Sequence, residues 1–305
     1  MTKIIKFTVD DVRFPTSKDL TGSDAIHTDP DYSATYVTVF TSDNNLKGFG
    51  IAFTIGKGND IVAECIKHFF PLFIGKTIDE LENEIGKLWF QCVDHSQLRW
   101  LGPEKGVVHM AVAAIFNCLW DLIAKKNQKP LWQFVVDSKP DTIMEWLTFK
   151  YIEDALSKDE AYNILQDSQN AKENRIQKIL NEGYPSYTTA AGWLGYSDEK
   201  IIDLCNQYMS QGWRHFKIKV GLDLEADVKR LELIRNTIGP DCSIMVDANQ
   251  QWSVKQSIEH INAYKKFNLL FVEEPTSPDD VMGFAKIKKE VGSVKLATGE
   301  ACGGR

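Results

Sequence analysis

The chain has 305 residues, of which 43% are apolar, and a formal net charge of −7. That length suits one large domain or two, and the apolar share is enough for a sizeable core. The acidic balance excludes a nucleic-acid binder, which needs a basic face, so an anionic ligand would have to be drawn in by local cations.

The start, MTKIIKFTVDDVRF, alternates like a strand and lacks the apolar core of a signal peptide. No apolar run is expected to reach the ~20 residues of a membrane span, so the reading is a cytoplasmic protein, with a mitochondrial address as second choice. The six cysteines (Cys65, Cys92, Cys118, Cys205, Cys242, Cys302) are dispersed, without C-x-x-C pairs or zinc spacing. Reduced thiols in an intracellular protein are the simpler reading. Strands are expected at IIKFTVDDVRF, ATYVTVFTSD and LKGFGIAFTI, the last two forming a hairpin around the turn at Asp43 to Asn45. Helical periodicity follows over 59–73, 78–91 and 105–125, the third apolar on most faces and therefore buried. Three strands followed by helices indicate a small α+β domain, taken as 1–140.

The polar stretch 154–182 reads as amphipathic helix, an insertion outside the core. From Asp198 onward helices (198–211, 224–238, 253–266, 279–291) alternate with strands, the signature of a parallel sheet with right-handed crossovers. A second domain, 141–305, is thus expected to be a (β/α) barrel, incomplete because a whole one takes ~250 residues.

Within it, Lys217 and Lys219 in HFKIKV precede Asp247 in SIMVDANQ, Glu273 in LLFVEEP and Glu300 in VKLATGE. Lys219, Asp247, Glu273 and Glu300 follow one another at nearly equal intervals, each of one strand plus one helix. That period brings successive strand ends to one rim, where barrel active sites are built. A lone VDAN or EEP says little, and a Lys-x-Lys on a strand ordinarily faces solvent; the order and equal spacing carry the reading. Three converging carboxylates suit a hard cation such as Mg²⁺. Strand parity turns Lys217 and Lys219 to one side, and cations crowded together near a metal would lower a lysine pKa toward a useful base. Glu273 has the parity of a ligand, whereas Glu274 would turn toward the helix layer. Asn249 and Gln250 either reach the rim or brace its loop. His27, His95, His109 and His215 have no metal-ligand spacing.

The KIK, VDANQ, VEEPTSPDD and ATGE segments resemble the mandelate-racemase-like branch of the enolase superfamily. Within it, DVRFPTS, GSDAIHTDPDYSATYV, LRWLGPEKGVVH and GYPSYTTAAGWLGYSD are similar to the L-fuconate dehydratases, over essentially the whole chain. The resemblance implies an α+β capping domain over a TIM-type barrel, and a hydro-lyase that converts L-fuconate to 2-keto-3-deoxy-L-fuconate, a step of L-fucose degradation. It makes Lys219 the acid/base lysine, gives Lys217 the substrate carboxylate, and assigns Asp247, Glu273 and Glu300 to Mg²⁺. Gly22, Ser23, Asp24 and Tyr32 would touch the sugar acid; by composition alone their segment is a polar loop. Another aldonate, such as L-galactonate or D-arabinonate, is the alternative substrate, and a non-catalytic relative acting by protein contacts the alternative class. Self-association is a further expectation. In this family a second acid/base, a His paired with an Asp, stands on strands that would follow Arg305, and GEACGGR departs from the usual GEQCHNR-like continuation. Dehydration by these 305 residues alone is therefore expected to be crippled.

Overall fold

The computed structural model describes residues 1–302, in two compact units. The first comprises Met1–Phe14 and Tyr32–Gly183, the second Pro15–Asp31 and Tyr184–Cys302.

In the first unit, strands β1 (Ile4–Arg13), β2 (Ser33–Thr41) and β3 (Lys47–Thr54) form an antiparallel sheet in that order. The β2–β3 turn is closed locally, because Thr41 Oγ1 donates to the Asp43 and Leu46 carbonyls and Asp43 Oδ1 accepts from the Asn45 amide. Helices α1 (Asn59–Phe69), α2 (Ile78–Val93) and α3 (Val107–Lys126) follow. Thr77 and Glu80 start α2 with a reciprocal capping box, which satisfies amides that the first turn leaves open. Gly48 and Gly50 on β3 let α3 lie directly on the sheet: a Cβ on Gly50 would stand 2.1 Å from the Ala114 carbonyl oxygen.

Contrary to the expectation that no run is of membrane length, α3 is long and apolar enough to cross a bilayer. Its Val108, Ala111, Val112, Ile115, Leu119 and Leu122 are fully buried in the core with Val37, Val39, Ile66 and Leu81, so here it is the central core helix.

The boundary expected at 140/141 falls instead at Gly183/Tyr184. Two unforeseen short helices, α4 (Leu131–Asp137) and α5 (Pro140–Trp146), explain the shift. Gly86 of α2 lies against the α5 backbone at Glu145 and Trp146, and Lys150 pairs with Asp94 at 2.5 Å. Helices α6 (Lys158–Asp167) and α7 (Lys172–Glu182) then turn Leu165, Ile176 and Ile179 toward Trp132, Val135 and Ile143 around a cavity of about 340 Å³. The polar insertion thus belongs to the first unit, with its outer face in solvent.

In the second unit, helices α8 (Asp198–Ser210), α9 (Leu224–Ile238), α10 (Val254–Tyr264) and α11 (Val281–Val291) alternate with strands β4 (His215–Lys219), β5 (Ser243–Asp247), β6 (Leu269–Glu273) and β7 (Leu296–Ala297). The strands are parallel, in the order β4-β5-β6-β7. Ser197, Asp223, Ser253 and Asp280 each cap the helix they precede by accepting a first-turn amide. Phe216, Ile218, Ile244, Val246 and Val272 are buried with Leu231, Ile234, Ile261 and Ile287 of the helices. Alternation on each strand then leaves Lys217, Lys219, Asp247 and Glu273 to the opposite face.

Candidate active site

Register assembles the site. Lys219 pairs with Asp247, Asp247 with Glu273, and Glu273 with Ala297, so one row across four strand ends carries the functional groups. Lys219 Nζ donates to Asp247 Oδ2 at 2.7 Å and to Asn249 Oδ1 at 2.8 Å. Lys217 Nζ lies 2.7 Å from Glu273 Oε2 and 3.4 Å from the same Asp247 oxygen. Both lysines and Asp247 are buried.

The electrostatics separate the two lysines. Burial works against the Lys217 charge, but its hydrogen bonds to Glu273 and Tyr187 and the charges of Asp247 and Glu273 outweigh it, so its pKa is raised. Its nearest charged neighbours are the carboxylates of Glu273 and Asp247. Lys217 is thus held as a cation by Glu273 and Asp247. Lys219 faces one carboxylate and one neutral amide oxygen.

Two aromatic side chains that sequence reasoning passed over flank these amines. The Tyr187 ring is 4.7 Å from Lys217 Nζ and the Trp193 ring 5.7 Å from Lys219 Nζ. Their signal was the aromatic run YPSYTTAAGWLGY before β4; Thr188 in it bridges to Phe216 in parallel. Asn249 and Gln250 both have positive φ, which turns the chain after β5 back so that Asn249 reaches Lys219 and the Gln250 amide reaches the Glu274 carbonyl.

Asp247 and Glu273 converge on one shared cationic centre, the Lys217 ammonium, and carboxylate oxygens are the donor type that a hard divalent ion takes. Glu300 does not join them. Strand β7 ends at Ala297, and Glu300 lies exposed beyond Gly299, whose φ is +144°. Among the described residues no three His, Cys, Asp or Glu side chains are placed to hold a metal. Glu300 is nonetheless near: burial first, then the charges of Asp247 and Glu300, raise the pKa of Glu274. Glu274 is buried with positive φ, its Oε2 accepting from Gln250 at 3.2 Å and its Oε1 without a partner.

The loop residues expected to touch substrate fall in two places. Gly22, Ser23 and Asp24 belong to the second unit. Ser23 Oγ donates to the Leu194 carbonyl at 2.6 Å, and Asp24 accepts from the amides of Ile26 and His27 and pairs with the His27 ring at 2.9 Å. Ala25 packs against Gly221, two residues past Lys219. In this arrangement Ser23 and Asp24 pin the loop and Gly22 supplies a turn with φ +89°. Tyr32 lies in the first unit, edge-on to Phe53 at 5.1 Å.

Comparison with known proteins agrees with this architecture. Residues 23–135 match the mandelate racemase/muconate lactonizing enzyme N-terminal domain, and residues 200–305 the enolase C-terminal domain-like family. Mitochondrial enolase superfamily member 1 of Xenopus laevis is 47% identical, over 99% of this chain and 69% of its own length. The L-galactonate dehydratase of Hypocrea jecorina is 44% identical over 97% of this chain and 66% of its own. The crystal structure of human mitochondrial enolase superfamily member 1 matches with a TM-score of 0.95 at 44% identity, covering 98% of this chain and 69% of that one. A racemase from Streptomyces coelicolor with bound magnesium matches at 0.71 and 26%, over 98% of this chain and 69% of that one. The chain belongs to the enolase superfamily, in the mandelate racemase/muconate lactonizing enzyme branch that includes sugar-acid dehydratases.

Proposed function

We propose that the protein is a Mg²⁺-dependent sugar-acid dehydratase whose substrate is L-fuconate. The observation that supports it most is the strand-end row in which Lys219, Asp247 and Glu273 stand side by side with Lys217 between the two carboxylates. A proton next to a carboxylate is very weakly acidic, because its removal leaves a dianionic enediolate. Mg²⁺, held by Asp247 and Glu273, would supply the positive charge that stabilises that dianion.

This chain's own residues do the rest. Lys217, a fixed cation, attracts and orients the substrate carboxylate. Lys219 Nζ exchanges the proton at C2, its position set by Asp247 and Asn249. The 3-hydroxyl would then leave as water, taking a proton from a general acid as its C–O bond breaks, and the resulting enol would become the 2-keto-3-deoxy acid. Tyr187 and Trp193 wall the amines from bulk water on one side, which strengthens each charge contact there.

L-Galactonate is the second reading, favoured by the 44% identity to an L-galactonate dehydratase. The test is incubation of a full-length version of the protein and Mg²⁺ with L-fuconate, L-galactonate and D-arabinonate, followed by assay of 2-keto-3-deoxy product. Preferred turnover of L-fuconate is expected. Preference for L-galactonate would replace the substrate, and no turnover of any aldonate would remove the dehydratase reading.

A further inference from the structure

Two charged residues of α9, Asp227 and Arg230, face the end of β4 from the helix layer, one turn apart. Arg230 Nη1 donates to the carbonyl of Lys219 at 2.5 Å, and Nη2 donates to the carbonyls of Trp193, at 2.8 Å, and Gly192. Asp227 Oδ2 accepts from the Gly221 amide at 2.8 Å and from the Tyr264 hydroxyl at 3.0 Å. The backbone is thus held on either side of Val220, the carbonyl of Lys219 by a guanidinium and the amide of Gly221 by a carboxylate. The segment that Arg230 reaches on its other arm is already laced to β4, since the Lys219 amide donates to the Gly192 carbonyl at 2.9 Å. It is also tightly fitted: a Cβ on Gly192 would stand 2.1 Å from the Lys217 carbonyl oxygen. Trp193, in that segment, carries the ring that flanks Lys219 Nζ at 5.7 Å.

This arrangement is costly. Arg230 Nε is buried without a partner, and burial pushes the guanidinium pKa down to about 10. An apolar side chain would fill the space between helix and sheet without that penalty. What an apolar residue cannot do is bind three carbonyls from two segments with one rigid, planar fork.

We propose that Arg230 is a positioning residue: it ties the backbone of Lys219 to that of Trp193 and thereby fixes where the Lys219 ammonium lies against Asp247, Asn249 and the indole. Its kinetic consequence rests on the dehydratase reading; its structural consequence does not. A lysine at this position has a point charge on a flexible stem and cannot span the three carbonyls. A misplacement of about 1 Å at a reacting group costs on the order of 100-fold in rate.

The test uses Arg230→Lys and Arg230→Gln, each checked for native circular dichroism. Two measurements are made. The first is the rate of amine acetylation at Lys219 and Lys217, resolved by peptide mass, with Lys217 as internal control because Arg230 does not touch it. Loosening of the Lys219 segment is expected to speed acetylation of Lys219 about tenfold and leave Lys217 within about twofold. The second is steady-state turnover, where kcat is expected to fall about 100-fold with KM within about threefold, and more steeply for Gln than for Lys. Equal acceleration at both lysines, no acceleration at either, or failure of both variants to fold would overturn the proposal, since Arg230 would then serve the fold in general. If the wild-type protein turns over no aldonate, the dehydratase reading falls while the acetylation pattern still decides the positioning role.

Discussion

In the first unit, Lys126 bridges Asp79 and Glu82, Lys150 meets Asp94 and Lys129 meets Asp137, all at the partly exposed surface of an apolar core. In the second unit Asp24, Lys217, Lys219, Asp227, Asp247 and Glu274 are buried, and every charged side chain that is buried among the described residues belongs to this unit. Both units are of similar size and both have continuous apolar cores. Buried charge is therefore no requirement for folding a domain of this kind. Exposed pairs contribute at most about 1 kcal/mol each, whereas taking a charge out of water costs several. A chain that keeps its expensive charges in one unit, most of them around one end of one sheet, has concentrated its buried polarity there.

The sharpest way to break that contrast is Lys219→Met. If the amine serves the reaction and not the fold, turnover of the aldonate is expected to fall by 10²–10⁴-fold or more. The melting temperature should change little, because Asp247 keeps Lys217 as its counter-ion. A loss of activity that merely follows a loss of folded protein would show that the buried lysine is structural. The comparison would then lose its functional meaning.

The strand-end row was legible in the sequence because period and parity are properties of order alone. Lys219, Asp247 and Glu273 recur one βα unit apart, and parallel pairing sets them side by side at the strand ends, with one register shift between β5 and β6 at Ile244–Val246. Glu300 kept the period but not the place. Periodicity counts residues, whereas position depends on where pairing stops, and β7 stops at Ala297. Arg230 and Asp227 were illegible for a related reason. On α9 they read as ordinary helix charges, and only the packing of that helix against β4 brings them to the Lys219 carbonyl and the Gly221 amide. Ser23 and Asp24 were found as polar loop residues, but their partners, Leu194 and His27, are set by tertiary contact and local turn geometry that composition does not encode. The first unit's strands and long helices were read from alternation and 3.6-residue periodicity, while α4 and α5 were missed because seven residues fall just short of two turns.

A perturbation confined to the first unit sharpens the comparison from the other side. Gly50→Ala would drive a methyl into the backbone of α3 at Ala114 and Cys118. Forced separation of helix and sheet is expected to cost roughly 1–3 kcal/mol, read as a drop of about 2–4 °C in melting temperature per kcal/mol. Acetylation rates at Lys217 and Lys219 and the affinity for Mg²⁺, measured by calorimetry below the melting range, should stay at wild-type values. A change in either would mean that the charged site draws its order from the apolar unit.

The smallest expected effect is the response to pH, and here the two units should move in opposite directions. Hydrogen bonds from Lys126, Lys150 and Lys129 hold the carboxyls of Asp79, Asp94 and Asp137 below the ordinary value near 3.8. Groups of this kind stabilise the fold above their unfolded value and lose that contribution as pH falls through the folded one. Asp227 is the reverse: burial raises its pKa above 3.8, despite the Gly221 amide, the Tyr264 hydroxyl and the charges of Arg230 and His260. Its contribution is complete below the unfolded value and is lost as pH rises through the raised folded one. His260, beside it, is depressed by burial and works against acidification from about its ordinary 6.5 downward, so the raw pH profile of the second unit mixes two signs. The difference between wild type and Asp227→Asn isolates the carboxyl, because an amide oxygen can still accept from Gly221 and Tyr264 but carries no charge. Peptide-resolved amide exchange across a pH series should show Asp227→Asn gaining protection in β4 and α10, relative to wild type, as pH rises above 4, and the peptides around Asp79 and Asp137 unchanged. A pH-independent difference would mean that Asp227 is held by its hydrogen bonds alone, and the opposition between the units would rest on the lysines.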